Sequence, residues 1–112
     1  MPNYVNVMAL QFEFHPDARV ELMEQIEYVQ LKFGQRDSEK AFQKVMDGVS
    51  QLCDYPKSGA LLQDIAYNGC EVRILHLHQL SVVYTYDDKK LYVVCVWNNY
   101  KNPERLSGII GC

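Results

Sequence analysis

The chain of 112 residues has the length of one ordinary domain, here taken as residues 1–112. Hydrophobic residues make up 48% and charged residues 22%, which excludes a disordered tail. A net charge of -3 argues against a free-standing nucleic-acid binder, since those carry a basic excess or a basic stripe.

The first segment, Met8 to Phe14, alternates. Met8, Leu10, Phe12 and Phe14 fall on one side and Ala9, Gln11 and Glu13 on the other, as in a half-buried strand. His15-Pro16-Asp17 opens a helix, with proline at the first helical position and an acidic residue suited to the dipole. Ala18, Leu22, Ile26, Val29 and Phe33 then share a face, while Glu21, Glu24 and Glu27 read as a solvated one. Gly34 suits the end of this helix. A second helix is expected from Asp37 or Ser38, either of which can cap it. Phe42, Val45, Val49 and Leu52 form its apolar stripe, and Pro56 stops it within the turn YPKSG. Two helices so closely joined should form an antiparallel hairpin.

Strands follow at Cys70 to Leu77, Leu80 to Asp87 and Lys90 to Asn98. With turns at His78-Gln79 and DDKK, they make an antiparallel meander. The last strand carries Leu91, Val93, Cys95 and Trp97 on one side and Tyr92, Val94 and Val96 on the other. Both its faces are apolar, and the hairpin covers only one. Either this strand is central and shielded by its neighbours, or its second face is a docking surface. The change of period from two to helical and back to two gives an α+β chain. The expected order is β-α-α-β-β-β, an antiparallel sheet on an N-terminal two-helix hairpin.

The cysteines Cys53, Cys70, Cys95 and Cys112 lie far apart with no C-x-x-C, so zinc ribbons and redox motifs are not expected. The start MPNYVNVMALQFEF lacks a basic opening, and the run Leu91 to Trp97 is too short for a bilayer. The expectation is a reduced, cytoplasmic protein without membrane association, disulfide, structural metal or cofactor. His76 and His78 have the spacing for two imidazoles on one metal, but no third ligand stands at a telling distance. Arg73 lies two residues from Glu71, on the same strand face. It reads either as half of a surface ion pair of little energetic value or as a clamp for phosphate or carboxylate. In WNNYKNPERL, the groups Tyr100, Lys101 and Arg105 suit base stacking, phosphate binding or proton transfer, or equally a plain strand exit with a proline turn.

Taken together, the segments EYVQLKFG, LCDYPKSG, CEVRIL, SVVYTYDD and LYVVCVWNNYKNPERL resemble toxins of the RelE/ParE superfamily from bacterial type II toxin–antitoxin systems. The P-x-x-G after the second helix, the arginine of the next strand and the V-x-Y of the one after carry the resemblance. Tyr100 stands where one branch of the superfamily has an arginine. The resemblance implies a cognate antitoxin as partner, a role in plasmid stabilisation, and self-association as a homodimer when the antitoxin is absent. It further implies a ParE-like toxin that acts by binding DNA gyrase. One alternative is RelE-like mRNA cleavage at the ribosome, with Arg73 holding the phosphate and Tyr100 and Lys101 assisting proton transfer or charge stabilisation. Another is a non-toxic module that only binds antitoxin.

Overall fold

The computed structural model describes residues 10–67, 69–77 and 79–98. The alternating N-terminal segment forms strand β1, Gln11–Phe14, and Met8 and Ala9 of the expected strand lie outside the described residues. Helix α1 spans Pro16–Phe33, with proline in its first turn and the His15 Nδ1 accepting a hydrogen bond from the Asp17 N–H at 3.0 Å. Gly34 ends it at a φ of 99°, the left-handed region that glycine enters without a Cβ penalty.

Helix α2 runs Gln35–Asp54, so it begins before Asp37 and Ser38 and has no side-chain cap. Gly34 alone reverses the chain, leaving no linker in which a cap could stand. Ser38 is buried instead, its hydroxyl donating to the Gln35 carbonyl at 2.7 Å. A short 3-10 turn, Pro56–Ser58, then leads to four strands: β2 (Ala60–Tyr67), β3 (Cys70–Leu77), β4 (Leu80–Tyr86) and β5 (Lys90–Asn98).

The sheet order is β1-β5-β4-β3-β2, and the expected meander β3-β4-β5 is antiparallel throughout. Two features add to the expected fold. Strand β2, which is not among the expected strands, pairs antiparallel with β3. Strand β1 pairs parallel with β5, so the sheet is mixed. ALLQDIAY hides its strand because its ladder breaks between Leu62 and Ala66, and the intervening residues interrupt any alternation.

Both helices cover one face of the sheet. Ala18 and Leu22 of α1 and Val45, Val49 and Leu52 of α2 meet Leu80, Val82, Tyr84, Leu91 and Val93. Gly48 lets α2 approach closely, since a Cβ there would lie 3.2 Å from the Leu77 side chain. On the other face Val72, Ile74, Val83, Cys95 and Trp97 form a second cluster, joined by Leu62, Ile65 and Tyr67 of β2. The sheet coils far enough that Tyr67, on one edge strand, reaches His15 beyond the other, with ring centroids 6.5 Å apart.

Strand β5 is thus interior to the sheet, and side chains of β2, β3 and β4 shield Cys95 and Trp97 on the far face. Its side chains do not alternate as the sequence suggests. The register to β4 shifts between Val83 and Tyr84, which leaves Val94 as an extra residue opposite the break. One added residue exchanges the faces beyond it. Leu91, Val93 and Val96 therefore join the helix-side core, whereas Cys95 and Trp97 join the far cluster.

Glu21 takes over where β1 ends. Strand β1 pairs with β5 only as far as Val93. Beyond that point, the Glu21 carboxylate accepts from the Val96 N–H at 3.1 Å, and Gln25 accepts from the Asn98 amide at 3.1 Å. Glu21 is therefore half-buried and engaged, while Glu24 and Glu27 keep the solvated positions expected of all three.

Candidate functional site

The sequence features that stand out singly, P-x-x-G, Arg73 and the tyrosine of V-x-Y, meet in one corner. Register places Arg73 of β3 opposite Tyr84 of β4, and Leu61 of β2 opposite Arg73 on its other side. The turn after α2 lies over this crossing. The Tyr84 hydroxyl donates to the Pro56 carbonyl at 2.6 Å and accepts from the Gly59 N–H at 3.0 Å. The Arg73 Nη1 donates to the carbonyls of Gly59 at 2.8 Å and Lys57 at 3.3 Å.

Glycine is required at position 59 for space. A Cβ there would sit 2.5 Å from the Tyr84 hydroxyl oxygen and 2.9 Å from the Ile74 carbonyl. Tyr84 is fully buried, and burial raises its phenol above the ordinary value, against the opposing pulls of the Gly59 N–H and the Arg73 charge. The neutral hydroxyl can therefore both donate and accept across the neutral range.

Arg73 takes neither of the roles open to it in isolation as simply as the sequence suggests. It bonds backbone carbonyls, not Glu71, and among the described residues it has no carboxylate partner. Its Nε is buried without a hydrogen-bond partner. Tyr100 and Lys101 lie outside the described residues, as do Arg105, His78 and Cys112. His76 is exposed, with its Nδ1 2.7 Å from the Ser81 hydroxyl. Cys53 and Cys95 are buried thiols, the Cys95 Sγ donating to the Glu21 carboxylate at 4.0 Å, and Cys70 is an exposed one. Burial, with Asp54 adding to it, pushes the Cys53 thiol above its ordinary value, which disfavours a thiolate there. No helix among the described residues is long and apolar enough to cross a membrane.

A second candidate site lies away from this corner. At the far end of α2 from the corner, a cleft of about 330 Å³ opens between the end of α1, the first half of α2 and the β3–β4 turn. Val29, Val45 and Leu80 form its apolar floor, and Phe33 stands at its mouth, 57% exposed. Lys40 and Lys44, one helical turn apart, form a basic rim, with Asp37 at one end. Ala41 lines the cleft between the two lysines, where its small side chain leaves room. In the sequence, Lys40 and Lys44 bracketing an alanine cannot be told from an ordinary solvated helix face.

The geometry can be set beside known proteins. The family profile described as "ParE toxin of type II toxin-antitoxin system, parDE" matches residues 12–102. No curated protein sequence matches the chain. Among solved structures, a chain of the chromosomal ParDE toxin–antitoxin system from P. aeruginosa superposes with a TM-score of 0.65 at 18% identity. That match covers 81% of this chain and 97% of the other, and it shows a shared fold. With the profile extending over most of its length, the chain belongs to the ParE toxin family of type II toxin–antitoxin systems.

Proposed function

We propose that this type II toxin acts by binding DNA gyrase, and that a segment of its cognate antitoxin docks in the lysine-rimmed cleft. The observation that carries the binding reading is the engagement of Arg73. Cleavage of RNA by 2′-OH attack calls for cations on the phosphate and a pair of proton-transfer groups. The Arg73 Nη1 already donates to two backbone carbonyls, so Arg73 acts as a positioning residue for the Pro56–Gly59 turn.

The cleft supports the antitoxin half of the proposal. Antitoxin segments that fold on binding lay an apolar stripe on exposed apolar surface. Here Val29, Val45 and Leu80 accept that stripe, and Lys40 and Lys44 select carboxylates at matching spacing.

Expression with and without the adjacent antitoxin gene tests this, alongside assays of gyrase supercoiling and ribosome-dependent mRNA cleavage on purified protein. The expected result is growth arrest relieved by antitoxin, loss of supercoiling and intact mRNA. The double variant Lys40→Glu, Lys44→Glu should retain toxicity while antitoxin binding weakens by about tenfold or more. Cleavage of mRNA that falls about 10²-fold in Arg73→Ala would instead support an interferase. Harmless expression with neither assay responding would leave an antitoxin-binding module.

A further inference from the structure

We propose that the outer face of α1 is a second docking surface, and that it takes a basic amphipathic segment of a partner protein. The inference is independent of the gyrase reading and of the cleft.

Helix α1 is apolar on two sides. Ala18, Leu22 and Val29 face the sheet and are buried, while Val20, Met23 and Leu31 are 57%, 54% and 81% exposed. At about 100° per residue, Val20, Met23 and Leu31 share one stripe roughly opposite the buried face. Tyr28 extends it at one margin, 49% exposed, with the Lys32 ammonium 5.5 Å from its ring centroid. An isolated exposed leucine requires no explanation, but an aligned apolar stripe along most of a helix does.

The charges on this face choose the occupant. Asp17, Glu24 and Glu27 are exposed and lie within the stripe, whereas Arg19 and Lys32 stand at its two margins. A second copy of the chain fits poorly. Pairing two such helices antiparallel about the centre of the stripe sets Glu24 against the other copy's Glu27. Pairing them parallel sets each glutamate against itself. Like charges so placed are destabilising. An anionic membrane surface is disfavoured for the same reason. A segment with an apolar stripe bordered by lysine or arginine satisfies both the apolar residues and the carboxylates.

Titration of the full chain with a labelled helical peptide of about 18 residues, leucine on one face and lysine on the other, tests the proposal. The expected result is saturable binding that falls about tenfold or more in the double variant Val20→Lys, Leu31→Lys and in Glu24→Gln, Glu27→Gln. A leucine/glutamate peptide should not bind. All these side chains are exposed, so unchanged melting temperatures confirm that the variants fold. Absence of binding, or binding indifferent to the α1 substitutions, would overturn the proposal. So would a concentration-dependent dimer abolished by Leu31→Lys, or Leu31-dependent sedimentation with anionic vesicles, each of which assigns the face to another occupant.

Discussion

The two ends of α2 are built on opposite plans. At its C-terminal end, Pro56, Lys57 and Gly59 are tied by four hydrogen bonds to Arg73 and Tyr84. At its N-terminal end, Lys40 and Lys44 rim an open apolar cleft. The first arrangement buries polar groups that, apart from the Arg73 Nε, have partners to keep, because each one left unsatisfied costs about 1–3 kcal/mol. The second leaves apolar surface in water, a smaller penalty that binding can recover. The comparison separates what makes this fold from what this fold presents. The P-x-x-G, Arg73 and Tyr84 that carry the sequence resemblance belong to the former.

The largest effect should follow from crowding the corner. Gly59→Ala forces a Cβ against Tyr84 and the Ile74 carbonyl, and destabilisation of about 3 kcal/mol is expected by denaturant melting. In a Tyr84→Phe background the same substitution should cost less, because the oxygen it strikes is gone. Additive costs in that double-mutant cycle would show that the Gly59–Tyr84 contact is not the cause.

Arg73→Ala removes charged donors from the Gly59 and Lys57 carbonyls and should cost about 2 kcal/mol. Unchanged stability would free Arg73 from its positioning role.

Alkali should loosen the corner and the adjacent end of α2 together. The Tyr84 phenol and the Cys53 thiol are both raised by burial above reference values of 10.0 and 9.0. For a group raised on folding, the stabilisation is complete below the unfolded pKa and is lost as pH rises through the folded one. Stability should therefore be flat near neutrality and fall from about pH 9 upward. Tyr84→Phe should remove the later part of the fall and Cys53→Ala the earlier part. A slope that persists in the double variant would place the titrating groups elsewhere.

The cleft should respond least. Ala41→Leu extends a side chain into open space, so the melting temperature should change little while antitoxin affinity drops about tenfold. An unaltered affinity would remove the cleft from the antitoxin interface.

Periodicity and punctuation determined much of this molecule by themselves. Alternation marked β1, Pro16 and Gly34 bounded α1 at its two ends, and the meander from Cys70 to Asn98 was legible with both its turns. These are local effects: a period of 2 or about 3.6 residues and a φ preference act within a few positions of the chain. What the sequence could not reveal came from distant contacts. The strand Ala60–Tyr67 exists because β3 offers it an edge. Cys95 and Trp97 turn away from the helices because one residue is added opposite β4. Glu21 faces inward because β1 stops at Val93 and leaves the Val96 N–H to be satisfied.

The candidate site divides in the same way. Pro56, Gly59, Arg73 and Tyr84 were each visible as motif residues, but only the register of β3 against β4 joins them into one hydrogen-bonded corner. The cleft was not legible, because its floor joins Val29 of α1, Val45 of α2 and Leu80 of β4, residues far apart in the chain. Local sequence specifies which elements form and where they end. Tertiary packing decides which of their side chains meet, because hydrogen bonds and apolar contacts depend on distance in space and not along the chain.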